Sequence, residues 1–138
     1  MIAYIDSSVI LRFVLDQPDR LDDARRFAFR VTSVLTEVEC LRAVDSVRLR
    51  RELGEDEHFA KRREVFAQMR RMQRITPARS VLRRAGDAFP TSLKALEAIH
   101  LATALQWRDR RAPELVFATH DRQLGRAAAA LGFEVIGV

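Results

Sequence analysis

Four acidic residues stand within or directly after apolar segments, where a carboxylate is costly to bury. Asp6 follows the apolar stretch AYI, and Asp121 follows VFATH in the same way. Glu39 lies in SVLTEVECLRA and Glu97 in LKALEAIHLATAL, two segments with the apolar spacing of helices. Carboxylates from four separate segments would repel one another unless a cation lay among them. Because all the ligands would be oxygens, the set predicts a site for Mg²⁺ or Mn²⁺.

Each of these acids also has a simpler interpretation. An Asp after a strand commonly caps the next helix, because its side chain accepts a free backbone N–H. Glu39 could pair with Arg42, three residues later on the same helix. Two histidines near the acids, His100 and His120, are candidate acid–base groups, although for His100 a structural hydrogen bond inside its helix is the simpler role. The residues alone leave these alternatives open.

The elements that would position the acids alternate between short apolar segments and helical patterns. Strands are predicted at 2–5, 31–33, around Ile75, at 115–118 and at 134–136. Helices are predicted over 8–15, 19–29, 34–51, 55–72, 78–88, 93–109 and 122–131, with Gly54 and Gly132 as C-terminal stops. This alternation is typical of an α/β sandwich, a parallel sheet covered by helices on both faces. Ligands bind such sheets outside the carboxyl ends of the strands, where the strand order reverses, so acids that follow the first and fourth strands could meet there.

Length and composition predict one domain over residues 1–138. A chain of 138 residues with 48% hydrophobic content can bury one sizeable core. The first dozen residues include Asp6 and Arg12, so they lack the uninterrupted apolar run of a signal peptide or a membrane span, and we expect a cytoplasmic protein without a membrane partner. The single cysteine, Cys40, excludes an internal disulfide and a cysteine-based zinc site, and its apolar neighbours predict a small buried hydrophobe.

The positive charge is concentrated in the middle of the chain. The whole sequence has 24 basic and 19 acidic residues, and residues 42–84 alone hold 13 Arg or Lys against 6 Asp or Glu. The guanidinium fork of arginine suits phosphate groups, although a solvated helix face is an equally simple explanation. If the segment binds RNA, the residues that would form its basic stripe are Arg48, Arg51, Lys61, Arg62, Arg70 and Arg71.

Four sequence blocks together resemble the PIN domain family, and within it the VapC-type toxins of toxin–antitoxin pairs. The blocks are AYIDSSVILR, TSVLTEVECLRA, LKALEAIHLATAL and VFATHDRQLGRAAAALGFEVIGV, and they span the whole chain in the order and spacing of the family. Each block is weak alone, whereas four in order make a fairly specific signal.

The resemblance implies a three-layer αβα sandwich around a five-stranded parallel sheet of order 3-2-1-4-5, and a metal-dependent endoribonuclease that uses Mg²⁺ or Mn²⁺. Asp6, Glu39 and Asp121 match the acidic metal-site positions of the family. Ser8 and Thr119 match the hydroxyl positions that support those acids by hydrogen bonding. No nucleophilic side chain is needed, because the metal would activate a water for phosphodiester hydrolysis.

The resemblance also implies partners. Members of the family cut structured RNA such as tRNA or ribosomal RNA and so inhibit translation, and they pair with a cognate antitoxin and form homodimers. Glu97 departs from the pattern, because the family most often has Asp there. The extra methylene could weaken the near-octahedral geometry that Mg²⁺ demands.

Two other functions are consistent with parts of the sequence. A non-catalytic PIN-like module that binds RNA or a partner is the main alternative, because Glu97 could have spoiled the site. An aspartate-dependent phosphatase would also have an Asp after its first strand. It would need a second Asp two residues later, where this chain has Ser8, so we disfavour it.

Overall fold

The centre of the fold is a five-stranded parallel sheet, in a computed structural model that describes residues 1–21 and 27–138. The strands are β1 (Ile2–Ile5), β2 (Phe29–Ser33), β3 (Gln73–Ile75), β4 (Val116–Ala118) and β5 (Glu134–Ile136). Their spatial order is β3-β2-β1-β4-β5, which confirms the expected topology. In the central strand, Ala3 pairs with Arg30 of β2 on one side and with Val116 of β4 on the other. The strand order therefore reverses between β1 and β4.

Helices cover both faces of this sheet. Within the described residues they are α1 (Ser7–Val14), α2 (Leu35–Leu49), α3 (Glu55–Arg70), α4 (Arg79–Ala85), α5 (Ala95–Arg111) and α6 (Arg122–Ala130). In the part of the chain that the structure describes, no helix combines the length and apolar character needed to cross a membrane.

Alternate residues of the central strand point into two separate halves of the core, as the two-residue repeat of a strand requires. Ala3 and Ile5 pack with apolar side chains of α1, α2 and α3. Tyr4 faces the other way and packs with Phe117 and with side chains of α5 and α6. Both faces of the sheet are therefore buried, and the three-layer sandwich predicted from the sequence is confirmed.

The element boundaries differ from the sequence prediction in two places. The helix expected over 19–29 is wrong at its C-terminal end, because Phe29 begins β2. Phe27, Phe29 and Val31 alternate with polar or small residues, which is the two-residue period of a strand. Residues 22–26 of that predicted helix lie outside the described residues. Gly54 precedes α3 as its N-cap instead of stopping α2, which ends at Leu49.

Two smaller predictions are confirmed. Cys40 is fully buried in the half of the core that α1, α2 and α3 cover. Gly132 follows α6 with a φ of +87°. Its N–H donates to the carbonyl of Ala129, and the N–H of Phe133 donates to that of Ala128, which is the Schellman arrangement that ends a helix.

The end of β5 fixes the turn that follows β4. The N–H of Thr119 donates to the carbonyl of Ile136 (3.0 Å), and Nδ1 of His120 donates to the carbonyl of Gly137 (2.7 Å). Gly137 has a φ of +95°, and a Cβ there would lie 2.5 Å from the carbonyl oxygen of Thr119. A side chain does not fit between these two segments, so glycine at position 137 lets β5 approach the turn that carries Thr119.

We therefore expect Gly137→Ala to destabilise the fold more than Gly132→Ala, a matched change at another left-handed glycine. Both variants incur the cost of a left-handed alanine, about 1–2 kcal/mol. A Cβ at position 132 would meet only the end of the Arg108 side chain at 3.7 Å, so that variant has no further cost. Urea unfolding of the two variants measures the difference, and equal free energies of unfolding would show that the contact with Thr119 is not tight.

Candidate active site

Asp6 lies at the carboxyl end of β1 and is the N-cap of α1, yet only 4% of it is exposed. Its Oδ2 accepts hydrogen bonds from Ser8 Oγ (2.5 Å) and Thr119 Oγ1 (2.9 Å). All the hydrogen bonds that the described residues donate to the Asp6 carboxylate reach this one oxygen. No Lys or Arg among those residues forms an ion pair with it. Capping accounts for part of this arrangement, but a carboxylate this deeply buried without a cation is typical of a functional site.

Two hydroxyl groups connect Asp6 to the turn after β4. Thr119 donates to Asp6 and accepts the backbone N–H of Asp121 (3.0 Å). Ser8 donates to Asp6 and accepts the backbone N–H of His120 (2.9 Å). The structure therefore brings Asp6, Ser8, Thr119 and Asp121 together at the edge where the strand order reverses.

Asp121 combines a helix cap with an outward carboxylate oxygen. Its Oδ1 accepts the backbone N–H groups of Gln123 (2.8 Å) and Leu124 (3.0 Å) at the start of α6. Its Oδ2 accepts no hydrogen bond from the residues that the structure describes. One oxygen holds the residue in place, and the other remains available to a ligand.

Glu39 joins this group through the side chains of Ser7 and His100. Its Oε2 accepts from Ser7 Oγ (3.2 Å), which is adjacent to Asp6 in the chain. Its Oε1 is hydrogen-bonded to Nε2 of His100, and Nδ1 of the same ring is 2.8 Å from the Tyr4 hydroxyl. Tyr4 and His100 are almost fully buried, whereas the Glu39 side chain is 20% exposed. The order Tyr4, His100, Glu39 thus runs from the core to the edge of the site.

The protonation of this chain of groups follows from burial and from the acids. Burial raises the pKa of Tyr4 well above its ordinary value, and the charges of Asp6 and Glu39 raise it further, so the hydroxyl keeps its proton. Burial alone would lower the pKa of His100. The hydrogen bond to Glu39 and the charges of Asp6 and Glu39 outweigh burial, so the pKa of His100 is raised.

Arg42, the possible partner of Glu39 in the sequence, does not pair with it. Arg42 pairs with Asp45 (3.0 Å) instead. The actual partner, His100, bonds outside its own helix, and Tyr4 was not identified at all. The sequence does place a tyrosine, Tyr4, on a buried strand and a histidine, His100, on an apolar helix. Spacing along the chain, however, does not show which buried polar groups contact each other.

Glu97 has a different environment from the one expected. It lies in the first turn of α5, half-buried, and its Oε2 accepts the backbone N–H of the N-cap residue Lys94 (2.9 Å), which is one half of a capping box. The helix dipole and the cap both account for an acid at this position. Glu97 precedes His100 by one turn, but no hydrogen bond among the described residues links it to the other three acids.

The donor set suits a hard divalent cation, although it does not form a closed cage. Within residues 1–21 and 27–138, no group of three or more acidic, His or Cys side chains stands close enough to hold a metal. Asp6 and Asp121 nevertheless each have one carboxylate oxygen with no donor from the described residues. Such oxygens are the ligands that Mg²⁺ and Mn²⁺ prefer, and waters commonly complete their coordination. The residues present therefore fit the cation that the sequence predicted.

Two of the basic residues predicted to bind RNA already have acidic partners. Nζ of Lys61 lies 2.7 Å from Asp16, and Arg48 binds Asp45 at 2.7 Å. These are surface pairs, which contribute little to stability and can exchange. They reduce the charge that the predicted basic stripe presents.

The other members of that set have varied surroundings. Arg62 lies over the ring of Phe66, and Arg51, Arg70 and Arg71 are exposed. Burial lowers the pKa of Arg30, and nearby Arg71 lowers it further. Because Arg30 is the second residue of β2, Arg71 lies near the amino ends of the strands, away from Asp6.

The chain is similar to known proteins along nearly its whole length. The family model of the PIN domain matches residues 3–130. Ribonuclease VapC46 of Mycobacterium tuberculosis (strain H37Rv) is 33% identical over 138 residues, which cover 96% of this chain and 95% of the relative. Ribonuclease VapC35 of the same strain is 31% identical over 140 residues, with coverages of 96% and 94%.

Solved structures agree with the fold. A toxin-antitoxin complex from Klebsiella pneumoniae matches with a TM-score of 0.67 at 14% identity, over 97% of this chain and 95% of the other. PAE2754 from Pyrobaculum aerophilum matches with a TM-score of 0.58 at 17% identity, over 94% and 90%.

We expect Thr119→Val to lower the free energy of unfolding by about 1–3 kcal/mol, because Asp6 loses a donor and the Asp121 N–H loses its acceptor. Thr119→Ser keeps the hydroxyl and is the matched control. Urea unfolding compares the three proteins. If the valine variant were as stable as the serine variant, the hydroxyl would not be what joins the two acids.

Proposed function

The chain belongs to the PIN domain family, and from that premise we propose that it is a metal-dependent endoribonuclease, the toxin of a VapBC-type toxin–antitoxin pair. The observation that carries the proposal is the buried carboxylate of Asp6, without a described cation and hydrogen-bonded through Thr119 to the Asp121 turn. The site lies where the strand order reverses, as ligand sites of open parallel sheets do. Relatives that are named ribonucleases, matching nearly the whole chain, support the activity.

Asp6 and Asp121 would hold the divalent cation through the oxygens that have no described donor, and we propose that Glu39 and Glu97 complete the acidic set. Mg²⁺ or Mn²⁺ bound there would supply an acidified water and stabilise charge on the phosphoryl oxygens during hydrolysis.

The neutral groups around the acids orient them. Ser8 and Thr119 hold Oδ2 of Asp6, which fixes the direction of Oδ1. His100, anchored by Tyr4, does the same for Glu39. The donors to Asp6 are neutral hydroxyl groups, and no described Lys or Arg pairs with it, so a cation need not displace a basic side chain to bind.

We further propose a structured RNA, such as tRNA or ribosomal RNA, as substrate, with translation inhibited as the result. Sequence-specific readers of RNA usually bind an unpaired loop, whose bases can be splayed out. A cognate antitoxin, a homodimer and a cytoplasmic location belong to the same proposal. The exposed arginines predicted from the sequence, such as Arg70 and Arg71, would contribute contacts distant from the acids.

A catalytically weak module is the second candidate. The observation that favours it is the Glu97 carboxylate, which caps α5 and has no described link to the other acids. A PIN domain with three effective acids could bind RNA or a partner without efficient cleavage.

We expect Asp6→Asn to lower metal-dependent RNA cleavage by about 100-fold or more, because a neutral amide poorly replaces an anionic ligand at the charge-stabilising site. The fold should persist, since the amide oxygen can still accept from Ser8 and Thr119. Cleavage by the purified chains in Mg²⁺, Mn²⁺ and EDTA measures the effect. Growth on expression without an antitoxin gives a second readout, with arrest expected only for the unmodified chain. Similar cleavage by both folded proteins would remove Asp6 from the active site.

For Glu97, we expect Glu97→Gln to lower cleavage by about 10- to 100-fold, whereas Glu97→Asp keeps or raises it. The glutamine variant is informative because the side-chain oxygen of Gln can also accept the N–H of Lys94, so α5 keeps this hydrogen bond while the charge is lost. Thermal unfolding confirms that the helix is intact. Full activity of Glu97→Gln would reduce Glu97 to a helix cap and leave a site of three acids.

A further inference from the structure

A groove of about 540 Å³ runs from Asp121 along the gap between α1 and α2. At one end it is lined by Ser8, His120 and Asp121. Its walls include the apolar side chains of Leu11 and Leu15 from α1. The volume falls within the range of about 300–1,000 Å³ that is usual for ligand sites. The groove is therefore continuous with the candidate active site and long enough to hold more than an ion.

Two arginines are the only cationic residues that line this groove within the described part of the chain. Arg12 comes from the last turn of α1, and Arg50 is the C-cap of α2. Arg12 uses Nη1 to donate to the carbonyl of Asp19 at 3.3 Å. Arg50 uses Nε to bind Glu52 at 3.0 Å, in a pair whose side chains are both more than half exposed. The remaining N–H groups of the two guanidinium forks have no partner among the residues that the structure describes.

The negative charge of the site must be offset by nearby cations before RNA can bind, and these two arginines can provide them. Asp6, Glu39 and Asp121 repel a polyanion, so a strand that reaches them needs cations close by. Arginine donates two parallel hydrogen bonds to a phosphate group, and an exposed ion pair such as that of Arg50 is weak enough to exchange for one. The apolar wall beside the two arginines suits the face of a ribose or base.

We infer that the groove between α1 and α2 binds the RNA strand next to the cleavage point, with Arg12 and Arg50 donating to its phosphate oxygens. The inference rests on the proposed function and deepens it, since it names two positioning residues that the basic stripe of the sequence analysis did not include. The arginines act on the flanking backbone and not on the reacting phosphate.

The test is a double variant, Arg12→Ala with Arg50→Ala, compared with Arg79→Ala with Arg83→Ala. The control pair removes the same charge from exposed positions on α4, which packs against α5 on the other side of the sheet. Binding of a single-stranded RNA is measured over a series of salt concentrations in the Asp6→Asn background, with the RNA checked for integrity. For single strands the slope of log affinity against log salt is about −0.7 per phosphate contact, so we expect the groove variant to have a slope shallower by about 1.4 and the control to keep its slope.

Cleavage in the Asp6-containing protein gives an independent readout. We expect KM to rise by about tenfold for the groove variant while kcat changes much less, because a flanking contact is made equally in the ground and transition states. Replacing both arginines by lysine should restore the salt slope, because the positive charges return. It should reverse only part of the increase in KM, because lysine lacks the planar guanidinium group.

The outcomes distinguish a failure of the proposed ribonuclease function from a failure of the groove inference. If the unmodified chain neither binds nor cuts RNA, the proposed function and this inference both fail. If it cuts RNA and the groove variant has the slope and KM of the control, only the groove inference fails. An unchanged salt slope together with lost binding of an acidic antitoxin segment would likewise overturn it and assign the groove to a protein partner.

Discussion

The structure is arranged around one group that is costly to bury, the carboxylate of Asp6. It lies at the end of the central strand, is only 4% exposed and has no described cation beside it. An ionised carboxylate in such a position must be compensated by hydrogen bonds or by a bound cation. Here the hydrogen bonds come from Ser8 and Thr119, and both donors depend on the sheet. Thr119 is in place only because β4 pairs with β1 in register and because Gly137 lets β5 approach it. The hydrogen bonds that compensate the Asp6 carboxylate therefore depend on the topology of the sheet.

The choice of neutral partners has a chemical consequence. An arginine beside Asp6 would stabilise the fold more simply, but it would also neutralise the negative potential that attracts a metal. Hydroxyl groups hold the carboxylate in one orientation and leave its charge uncompensated. Glu39 differs, because its partner His100, which is anchored in turn by the buried hydroxyl of Tyr4, has a raised pKa and can carry a proton. A site built in this way is less stable than one with paired charges, but it keeps a negative potential that attracts a cation. Functional sites often have such a cost in stability.

The sequence predicted the parts of the molecule that follow from periodicity and chain order. The five strands follow from the short apolar segments, and their order from the resemblance to the PIN family. The meeting of Asp6 with the Asp121 turn follows from the rule that ligands bind at the carboxyl ends of parallel strands, where the strand order reverses. It failed where side-chain direction decides. Glu97 lies in an apolar segment, but its position in the first turn lets it cap α5. Glu39 has an arginine three residues away, yet Asp45 takes that arginine and a histidine 61 residues along the chain takes the carboxylate. Local spacing identifies possible partners, whereas the packing of α2 and α5 against β2 determines which one is used.

The same distinction applies to the positive charge. The excess of arginine in residues 42–84 describes the overall field, which attracts any polyanion from a distance. Which cations touch a substrate depends on what each already binds and where it lies relative to the acids. Lys61 and Arg48 have acidic partners, and Arg71 lies near the amino ends of the strands. Arg12 is in a segment with no basic excess, yet α1 starts at the active edge and directs its last turn along the groove. A net charge read from the sequence therefore predicts that nucleic acid is attracted, and the fold determines where it is held.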